Sequence, residues 1–438
     1  MSNLNLIPIG KLFDLEKGSL QSSKCTEGEY TFITAAEEWK THNEYSHECE
    51  ALIFAAAASG SLGRTHYIND KFITSDLCFI LTPKDSKKYP INLKFYHFVF
   101  NSLKDEIVKN TKSGTSKESI NQSNLRNYEI PYFEIDKQNL WIDKLVNTKS
   151  IKEDLELELS TGQSLLKQLK QTILQEAIEG KLTAQWRAKN PDIGTAKKLL
   201  EQIKTEKDKL IKEKKIRPSK PLSPINEDEI PFDIPQSWEW CRLGEIANGF
   251  QYGTSTKSKI NGKVPVLRMG NIQNGRILLE ELVYTDNESE IEKYSIEYND
   301  LLFNRTNSRE LVGKTAIYSF QEKAIYAGYL IKYSMILSNS HYINYVMNSI
   351  FHYKWCTKVR SDALGQSNIN ATKLQSYIVP LPPLEEQKEI VATIEKLFIL
   401  CNELESEINQ NKVTVDNLMA TVLKEAFETK ENIHEYKA

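Results

Sequence analysis

One stretch of this chain occurs twice, at a fixed distance of 249 residues. Residues 120–131 read INQSNLRNYEIP, and residues 369–380 read INATKLQSYIVP. The register then continues without a gap to residues 178 and 427, and 14 of the 59 aligned positions are identical. An ungapped match through a loop, a proline and a helical stretch indicates a duplicated unit. Two copies of one unit suit a protein that binds two similar features of a pseudo-symmetric target.

Length and composition favour a multidomain chain without a membrane span. A chain of 438 residues suggests two to four domains, and 40% hydrophobic residues are enough for their cores. No apolar run approaches the roughly 18 residues of a spanning helix, and the six cysteines form no CxxC pair, so we expect reduced thiols in a cytoplasmic protein. The net charge is −3, but span 241–380 carries 16 Lys and Arg against 12 Asp and Glu, which allows a locally positive groove.

The pattern of apolar residues changes near residue 143 to steps of three and four, which are typical of a coiled coil. Gly162 interrupts the first stripe, and Asn411 takes the same place in the second copy. The shared offset predicts that the two helices pair with each other; the alternative is that each packs on its own domain. The predicted seam consists of Leu155, Leu159, Leu166, Leu169 and Ile173 with Leu404, Ile408, Val415, Leu418 and Val422.

These patterns predict an α+β fold with an internal pseudo-two-fold repeat. Two α/β domains stand in tandem, separated and joined by long antiparallel coiled-coil helices. The five segments are a first domain (1–142), a central helical spacer (143–216), a proline-rich linker (217–237), a second domain (238–383) and a C-terminal helical spacer (384–438).

The motifs of common enzymes are missing from the sequence. Gly313-Lys314-Thr315 resembles the end of a phosphate-binding loop, but Ser308 stands where that loop needs a glycine. The seven histidines show no metal-ligand spacing, and no nucleophile elbow is present. We therefore expect a binding protein that is not an enzyme and that holds no metal or cofactor of its own.

Three stretches resemble the specificity (S) subunit of type I restriction-modification enzymes, the HsdS family. They are WEWCRLGEI at 238–246, GQSNIN at 365–370 and VPLPPLEEQ at 379–387. The first domain departs from this pattern, because it opens at Ile9-Gly10-Lys11-Leu12 without the tryptophans and leaves through Ile130-Pro131 without a double proline.

The resemblance implies a non-catalytic subunit that binds double-stranded DNA at a bipartite site. Each target-recognition domain would read one half, and the helices would set the gap and dock two methyltransferase (M) subunits. Restriction (R) subunits would join in some complexes. S-adenosylmethionine, ATP and magnesium would be bound by these partner subunits.

In the second domain, the DNA-binding candidates follow the apolar run 301–303. Arginine and lysine suit guanine or phosphate, and asparagine and glutamine suit adenine. A polar surface turn or, for Gln366 and Asn368, a helix cap are the alternatives. The candidates are Arg268, Asn271, Asn304, Arg305, Thr306, Asn307, Arg309, Lys314, Gln366 and Asn368.

The first domain has a glycine-containing segment at the corresponding place, after Leu52-Ile53-Phe54. Its candidates are Ser59, Ser61, Arg64, Thr65, His66 and Tyr67. A plain glycine turn in a hairpin is the alternative. Two rival functions stay open: a coiled-coil scaffold with two protein-binding heads and no DNA readout, and a self-sufficient methyltransferase or nuclease, against which the missing motifs count.

Overall fold

The chain folds into two compact units, each with its own sheet. The computed structural model describes residues 5–58, 60–113, 118–363 and 365–428. The first unit comprises residues 1–162 and 407–438, and the second comprises residues 163–406. Both boundaries between the units fall inside long helices. No helix within the described ranges is long and apolar enough to cross a membrane.

The first unit begins with short strands around a longer antiparallel pair. Its elements are β1 (Leu6–Pro8), α1 (Ile9–Leu12), β2 (Phe13–Lys17), β3 (Tyr30–Ile33), β4 (Lys40–His42), β5 (His47–Ala55), β6 (Thr65–Thr74), β7 (Cys78–Pro83), α2 (Leu93–Ser102), α3 (Lys104–Thr111), β8 (Lys112–Ser113), β9 (Ser119–Ile120), α4 (Gln122–Asn127), β10 (Glu129–Pro131) and the start of α5 (Ile135–Ile178).

The first core lies on both faces of a six-stranded sheet of order β2-β7-β5-β6-β3-β4. Successive side chains of a strand point to opposite faces. Accordingly, Leu52 and Phe54 of β5 pack in a cluster with α2, whereas Ile53 and Ala55 pack in a second cluster that includes Phe72. The central strand is therefore buried on both sides and holds the loop that follows it.

The remaining elements belong to the second unit, except for the last helix and the end of the helix before it from residue 407, which belong to the first unit. They are α6 (Ala184–Lys189), α7 (Ala196–Lys212), β11 (Glu239–Arg242), α8 (Leu243–Ile246), β12 (Gln251–Tyr252), β13 (Val264–Leu267), β14 (Ile272–Gln273), β15 (Gly275–Ile277), β16 (Val283–Thr285), α9 (Glu288–Lys293), β17 (Leu301–Asn304), β18 (Thr306–Asn307), β19 (Thr315–Ile317), β20 (Ile325–Tyr326), β21 (Leu330–Tyr333), α10 (Ser340–Val346), α11 (Ile350–Val359), β22 (Ser361–Ala363), β23 (Gln366–Asn368), α12 (Ala371–Gln375), β24 (Ile378–Leu381), α13 (Leu384–Asp416) and α14 (Leu418–Glu428).

Strand β17 is the central strand of the second core. It lies between β21 and β19 in a six-stranded sheet of order β12-β21-β17-β19-β15-β14. Strands β16-β13-β20 and β18-β23-β22 form two smaller sheets. The apolar cluster around Leu302 and Tyr326 supports the main sheet, and β17 ends at the loop that carries most of the predicted DNA contacts.

The base from which the long helix starts is built in the same way in each unit. Strand β1 pairs with β10 in the first unit, and β11 pairs with β24 in the second. The Ile9 amide donates to the Tyr128 carbonyl at 2.8 Å, and the Leu243 amide donates to the Tyr377 carbonyl at 2.7 Å. Helices α5 and α13 begin 249 residues apart, which is the offset of the sequence repeat.

Within each unit, the contacts between the central and C-terminal segments follow an antiparallel order. In the first unit, Lys144 forms an ion pair with Glu425 at 3.1 Å, and Gly162 faces Ile408. In the second unit, Lys170 forms an ion pair with Glu405 at 2.7 Å. Residue numbers therefore rise along one segment as they fall along the other.

The buried row along these helices corrects the predicted seam at two positions. Leu169 and Leu404 are 45% and 48% exposed, whereas Lys170 is half-buried and Cys401 is buried. Gly162 is half-buried and lies in the row between Leu159 and Leu166, and the predicted positions Leu166 and Ile173 beyond it stay in the row. The other predicted positions are buried (Leu166, Ile173 and Val415) or half-buried (Leu155, Leu159, Ile408, Leu418 and Val422).

A buried carboxylate anchors the segment between the two copies to the second unit. Glu386, in the first turn of α13, accepts hydrogen bonds from Thr183 Oγ1 at 2.8 Å and from Trp238 Nε1 at 2.9 Å. Arg187 Nε lies 3.3 Å from the same carboxylate. Because a buried charge needs such partners, these contacts fix residues 183–187 against the base of the second unit.

Candidate nucleic-acid interface

The candidate site of the first unit is the loop between β5 and β6. The Ala55 amide donates to the Arg64 carbonyl at 2.8 Å, and the Gly63 amide donates to the Ala55 carbonyl at 2.8 Å. Thr65 Oγ1 then donates to the Gly63 carbonyl at 3.4 Å. These bonds close the loop on the end of the buried central strand.

The loop between β17 and β19 carries the same bonds in the second unit. The Asn304 amide donates to the Lys314 carbonyl, and the Gly313 amide donates to the Asn304 carbonyl, both at 2.8 Å. Thr315 Oγ1 donates to the Gly313 carbonyl at 3.2 Å. We call the two loops, residues 56–64 and 305–314, the reading loops. Their frameworks match although their lengths and side chains differ.

Each reading loop needs its glycine for two reasons. Gly63 has φ +79° and Gly313 has φ +92°, a region that residues with a Cβ rarely adopt. A Cβ on Gly63 would lie 2.6 Å from Val108 Cγ2 of α3, and a Cβ on Gly313 would collide with Cys356 Sγ of α11. The glycines thus let one helix of each unit pack directly against its loop.

In the second unit, two of the predicted segments lie side by side in one small sheet. Thr306 pairs with Asn368 and Asn307 pairs with Ser367, because β18 and β23 run antiparallel. Asn368 Nδ2 also donates to Thr306 Oγ1 at 2.7 Å. We call the β18-β23-β22 sheet the tip sheet. It carries two asparagines and Gln366, side chains that can bond bidentately to adenine.

Two arginines share one carboxylate at the edge of the tip sheet. Arg309 Nε lies 3.1 Å from Asp362 Oδ2, and Arg360 Nε lies 3.3 Å from Asp362 Oδ1. Ser367 Oγ donates to Asp362 at 2.5 Å. This hydrogen bond and the two guanidinium charges lower the pKa of Asp362. The cluster thus holds two guanidinium groups next to the polar strands, and both also interact with Glu310.

Arg305 and Lys314 are partly buried and already have protein partners. The Arg305 guanidinium lies over the Tyr252 ring, 4.7 Å from its centre, and donates to the Gly328 carbonyl at 3.4 Å. Lys314 Nζ donates to Gln273 Oε1 at 2.8 Å, and burial lowers the pKa of this lysine. Both cations are therefore held in defined positions, as a base-reading side chain requires.

The first reading loop is more sparsely polar. Arg64 Nη1 donates to the Ala35 carbonyl and to Ser61 Oγ, both at 3.3 Å. His66 accepts a hydrogen bond from Trp39 Nε1 at 3.4 Å, and burial lowers the pKa of its imidazole. Tyr67, half-buried on β6, donates to Glu50 at 2.8 Å; burial and this bond raise its pKa to about 12.

Alanines in the first unit take the places of the polar side chains of β18. The Ile120 amide donates to the Ala56 carbonyl at 2.8 Å, as the Ile369 amide donates to the Arg305 carbonyl at 2.9 Å. Ala57 forms a β-bridge with Ser119. Residues 56–58 thus correspond to residues 305–307, and the two units present different chemistry on one backbone.

Three predicted contacts are not available to DNA in this conformation. Thr65, Asn271 and Asn304 are 2%, 4% and 0% exposed. The side-chain Nδ2 of Asn271 donates to the carbonyls of Leu278 and Glu280, both at 2.9 Å, so this side chain orders its own loop. Ser59 lies outside the described residues. Arg268 is exposed, and its Nη2 donates to the Glu281 carbonyl at 2.8 Å.

The sequence prediction missed four charged residues beside the loops. Lys112 and Arg360 each follow the helix that packs on the loop glycine, and they form ion pairs with Glu118 and Asp362. The aligned repeat begins after these positions, at residue 120, so it gave no signal for them. In the described ranges, no group of three or more His, Cys, Asp or Glu is placed to hold a metal ion.

Known proteins are similar to this chain in both of its domains. The family model of the type I restriction modification DNA specificity domain matches residues 1–160 and 235–412. The EcoAI specificity subunit of Escherichia coli is 34% identical over 267 residues, which are 58% of this chain and 44% of that protein. The EcoDI specificity subunit of the same species is 22% identical over 433 residues, 96% of this chain and 87% of the relative. The chain thus spans less than half of the EcoAI subunit.

Two solved structures share the fold. A chain from a study of complex assembly and conformational transition of the type I R-M system superposes with a TM-score of 0.68 at 14% identity, covering 98% of both chains. The HsdS subunit of Thermoanaerobacter tengcongensis superposes with a TM-score of 0.51 at 15% identity, covering 98% of this chain and 97% of the other. Since the family model matches most of the sequence, the chain belongs to the family of type I restriction modification DNA specificity domains.

Proposed function

We propose that this chain is the sequence-specific DNA-binding subunit of a type I restriction-modification complex, and that each unit reads one half of a bipartite site. The observation that carries this proposal is the shared framework of the reading loops. The same main-chain bonds hold both loops, while alanines at 56–58 replace Arg305, Thr306 and Asn307. Equal frameworks with different side chains are what two readers of different half-sites require.

The second unit has the side chains for hydrogen-bonded readout. Arginine and lysine bond to guanine, and asparagine and glutamine bond to adenine, in the major groove. The proposed contacts are Arg305, Thr306, Asn307, Arg309, Lys314, Gln366 and Asn368. Arg268 stays a proposed contact at the periphery of the loop.

The first unit would read its half with fewer hydrogen bonds and more apolar contact. Its proposed polar contacts are Ser61, Arg64, His66 and Tyr67, all half-buried. Ala57 and Ala58, which are half-buried, can pack on thymine methyl groups, which the major groove also displays. We therefore expect the two half-sites to differ in base composition.

The long helices support the roles of spacer and docking site. Helix α5 has 44 residues and would span about 66 Å at 1.5 Å per residue, longer than the about 34–36 Å of one DNA turn. Large apolar side chains stay exposed along both helices, which marks a surface for protein partners. They are Leu140, Val146, Ile151, Leu157, Leu165 and Leu169 on α5, and Ile399, Leu400, Leu404 and Val413 on α13.

The chemistry of the complex would lie in its partners. Two methyltransferase subunits would dock on the helices and bind S-adenosylmethionine, and restriction subunits would add ATP- and magnesium-dependent activity. This chain would select the site and carry out no catalytic step.

Methylation mapping tests the proposal. The chain is expressed with its cognate methyltransferase subunit in a methylation-free cell, and methylated bases are mapped across the genome. A bipartite motif with an undefined gap is expected. The triple variant Arg305→Ala, Thr306→Ala and Asn307→Ala, which copies the first unit, should change the motif on one side of the gap and leave the other side intact.

A matched substitution at the opposite end of a sheet serves as the control. Lys84 follows β7, whose other end at Cys78 adjoins Ala55, so Lys84→Gln should leave the motif unchanged. A stable, assembled complex that methylates no motif would instead favour a scaffold with two protein-binding heads. A triple variant that altered both halves equally would reject the assignment of one half to each unit.

A further inference from the structure

We propose that Lys112 and Arg360 bind DNA phosphates, one in each unit, and that Glu118 and Asp362 cover them while no DNA is bound. This inference rests on the proposed function and assigns backbone contacts to residues outside the reading loops. It also makes the two carboxylates a brake on binding to any duplex, because they compete with every phosphate that approaches.

The two cations occupy equivalent positions. Lys112 is the first residue after α3, and Arg360 is the first residue after α11. Four residues earlier, Val108 and Cys356 pack against the glycine of the respective reading loop. Helix and loop are therefore locked together in the same way in both units, and each cation lies at the start of the hairpin that pairs with its reading loop.

Each cation forms an ion pair with a carboxylate of the adjacent hairpin. Lys112 Nζ lies 2.7 Å from Glu118 Oε1, with the side chains 42% and 52% exposed. Arg360 Nε lies 3.3 Å from Asp362 Oδ1, and its Nη1 donates to the Arg309 carbonyl at 3.1 Å. Glu118 precedes β9 and Asp362 lies on β22. The ion pair therefore recurs in the equivalent hairpin of each unit, with the carboxylate at a different position of that hairpin.

The Lys112–Glu118 pair is exposed and easily exchanged, whereas Arg360 and Asp362 are more covered, with side chains 20% and 34% exposed. In water such pairs contribute only about 0–1 kcal/mol, because solvent screens both charges. Duplex DNA presents one negative charge per about 1.7 Å, and cations that neutralise phosphates gain from counterion release. A phosphate can therefore replace the carboxylate as the partner of Lys112 or Arg360.

The displaced carboxylate opposes binding to any sequence. It faces a phosphate of like charge, and this repulsion is the same on every duplex. Base contacts made by the reading loops offset it only at the correct site. Glu118 and Asp362 should therefore lower the affinity for every duplex by a similar factor, and only a duplex that adds the base contacts of the motif stays well bound.

Salt-dependent binding tests this inference. The full chain is assembled with its methyltransferase subunits, and its affinity is measured from 50 to 300 mM salt for two duplexes, with and without the mapped motif. Lys112→Gln and Arg360→Gln should each weaken binding to both duplexes by a similar factor of roughly 3–10. Each should also reduce the slope of log K against log salt by about 0.9. Glu118→Gln and Asp362→Asn should each strengthen binding to both duplexes by a similar factor.

Two further variants separate charge from structure. Lys84 forms an ion pair with Asp14, and its side chain is 44% exposed, close to the 42% of Lys112, but it lies at the far end of the sheet. Lys84→Gln should therefore change neither the affinity for DNA nor the salt slope. Arg360→Lys keeps the charge and should keep the slope, whereas a purely structural role for Arg360 would make it behave like Arg360→Gln.

The outcomes distinguish this inference from the proposed function. If the wild-type complex prefers its motif but Lys112→Gln matches Lys84→Gln, the inference is overturned and the proposed function stands. The inference also fails if removal of the carboxylates leaves non-specific affinity unchanged. A wild-type complex with no salt-dependent DNA binding would reject the proposed function itself.

Discussion

Gln138 and Gln387 are 249 positions apart and hold the starts of the two long helices in the same way. Gln138 Oε1 accepts from the Asn92 amide at 2.6 Å, and Gln387 Oε1 accepts from the Asn339 amide at 2.8 Å. Their amide groups donate to the carbonyls of Phe133 and Pro382, at 2.6 and 2.9 Å. Both side chains are fully buried. Each glutamine joins the start of a long helix to the N-cap residue of another helix, Asn92 of α2 or Asn339 of α10.

Gln387→Met should lower the free energy of unfolding of the second unit by about 2–4 kcal/mol. The substitution keeps most of the volume but leaves the Asn339 amide and the Pro382 carbonyl buried without partners. Chemical denaturation and hydrogen exchange of the Asn339 amide measure the effect. Gln410→Met, at an exposed position of the same helix, is the control and should change little. Equal effects of the two substitutions would show that the buried bonds contribute nothing.

Gly162→Ala should raise the free energy of unfolding by about 0.5–1 kcal/mol. Alanine is a better helix former than glycine, and its Cβ would lie 3.6 Å from Ile408 Cδ1, an ordinary van der Waals contact. Gly63→Ala should instead lower it by about 1–3 kcal/mol, because its φ is +79° and its Cβ would lie 2.6 Å from Val108. Thermal denaturation of both variants checks the opposite signs, and destabilisation by Gly162→Ala would contradict the packing described for α5.

A four-residue insertion after Gly162, matched by one after Ile408, should lengthen the gap in the recognised site and keep both halves. Four helical residues add about 6 Å, which corresponds to about two base pairs. Methylation mapping reads the gap directly. Insertion of four residues after Ser219, in the exposed linker, should leave the gap as it is. An unchanged gap in the helix variant would reject the spacer role.

The second unit should lose stability as the pH falls from about 6.5 to 4. Burial lowers the pKa of His352 to about 4 in the folded state, below the value of about 6.5 expected on unfolding. His352 Nε2 donates to the Gly313 carbonyl at 2.9 Å, and Nδ1, which a second proton would occupy, is buried without a partner among the described residues. The unfolded chain therefore binds more protons in this range, and unfolding becomes easier by roughly 3 kcal/mol at its lower end.

Denaturation at pH 7.0 and 4.5 measures this loss of stability. His352→Gln can keep the bond to Gly313 and removes the titrating group, so its stability should depend less on pH than that of the wild type. Identical pH dependence of variant and wild type would exclude His352 as the source. Binding of DNA is not needed for this measurement.

The repeat made much of the architecture predictable from the sequence. The start of α13 at Leu384 agrees with the predicted C-terminal spacer, whereas α5 begins at Ile135, eight residues before the predicted central spacer (143–216). The correspondence of the reading loops also followed from sequence, since each comes directly after an apolar strand. The proposed base contacts remain predictions.

Burial was harder to predict than position. Asn271 and Asn304 have the composition of surface turns, yet tertiary packing buries both. Leu169 fits the steps of three and four residues in the predicted seam, yet helix packing leaves it exposed and buries the neighbouring Lys170 in part. Gln138 and Gln387 were identical in the two copies, but an isolated glutamine on a helix gives no signal of a buried hydrogen bond.

The framework of the reading loops has a consequence for evolution. Two of its three bonds join main-chain atoms alone, and the third needs only a threonine beyond the loop. Residues 56–58 and 305–307 can therefore mutate without loss of the loop conformation. A lineage carrying this chain could acquire a new target in one half of its site by a few substitutions, while the other half and the assembly with its partners persist.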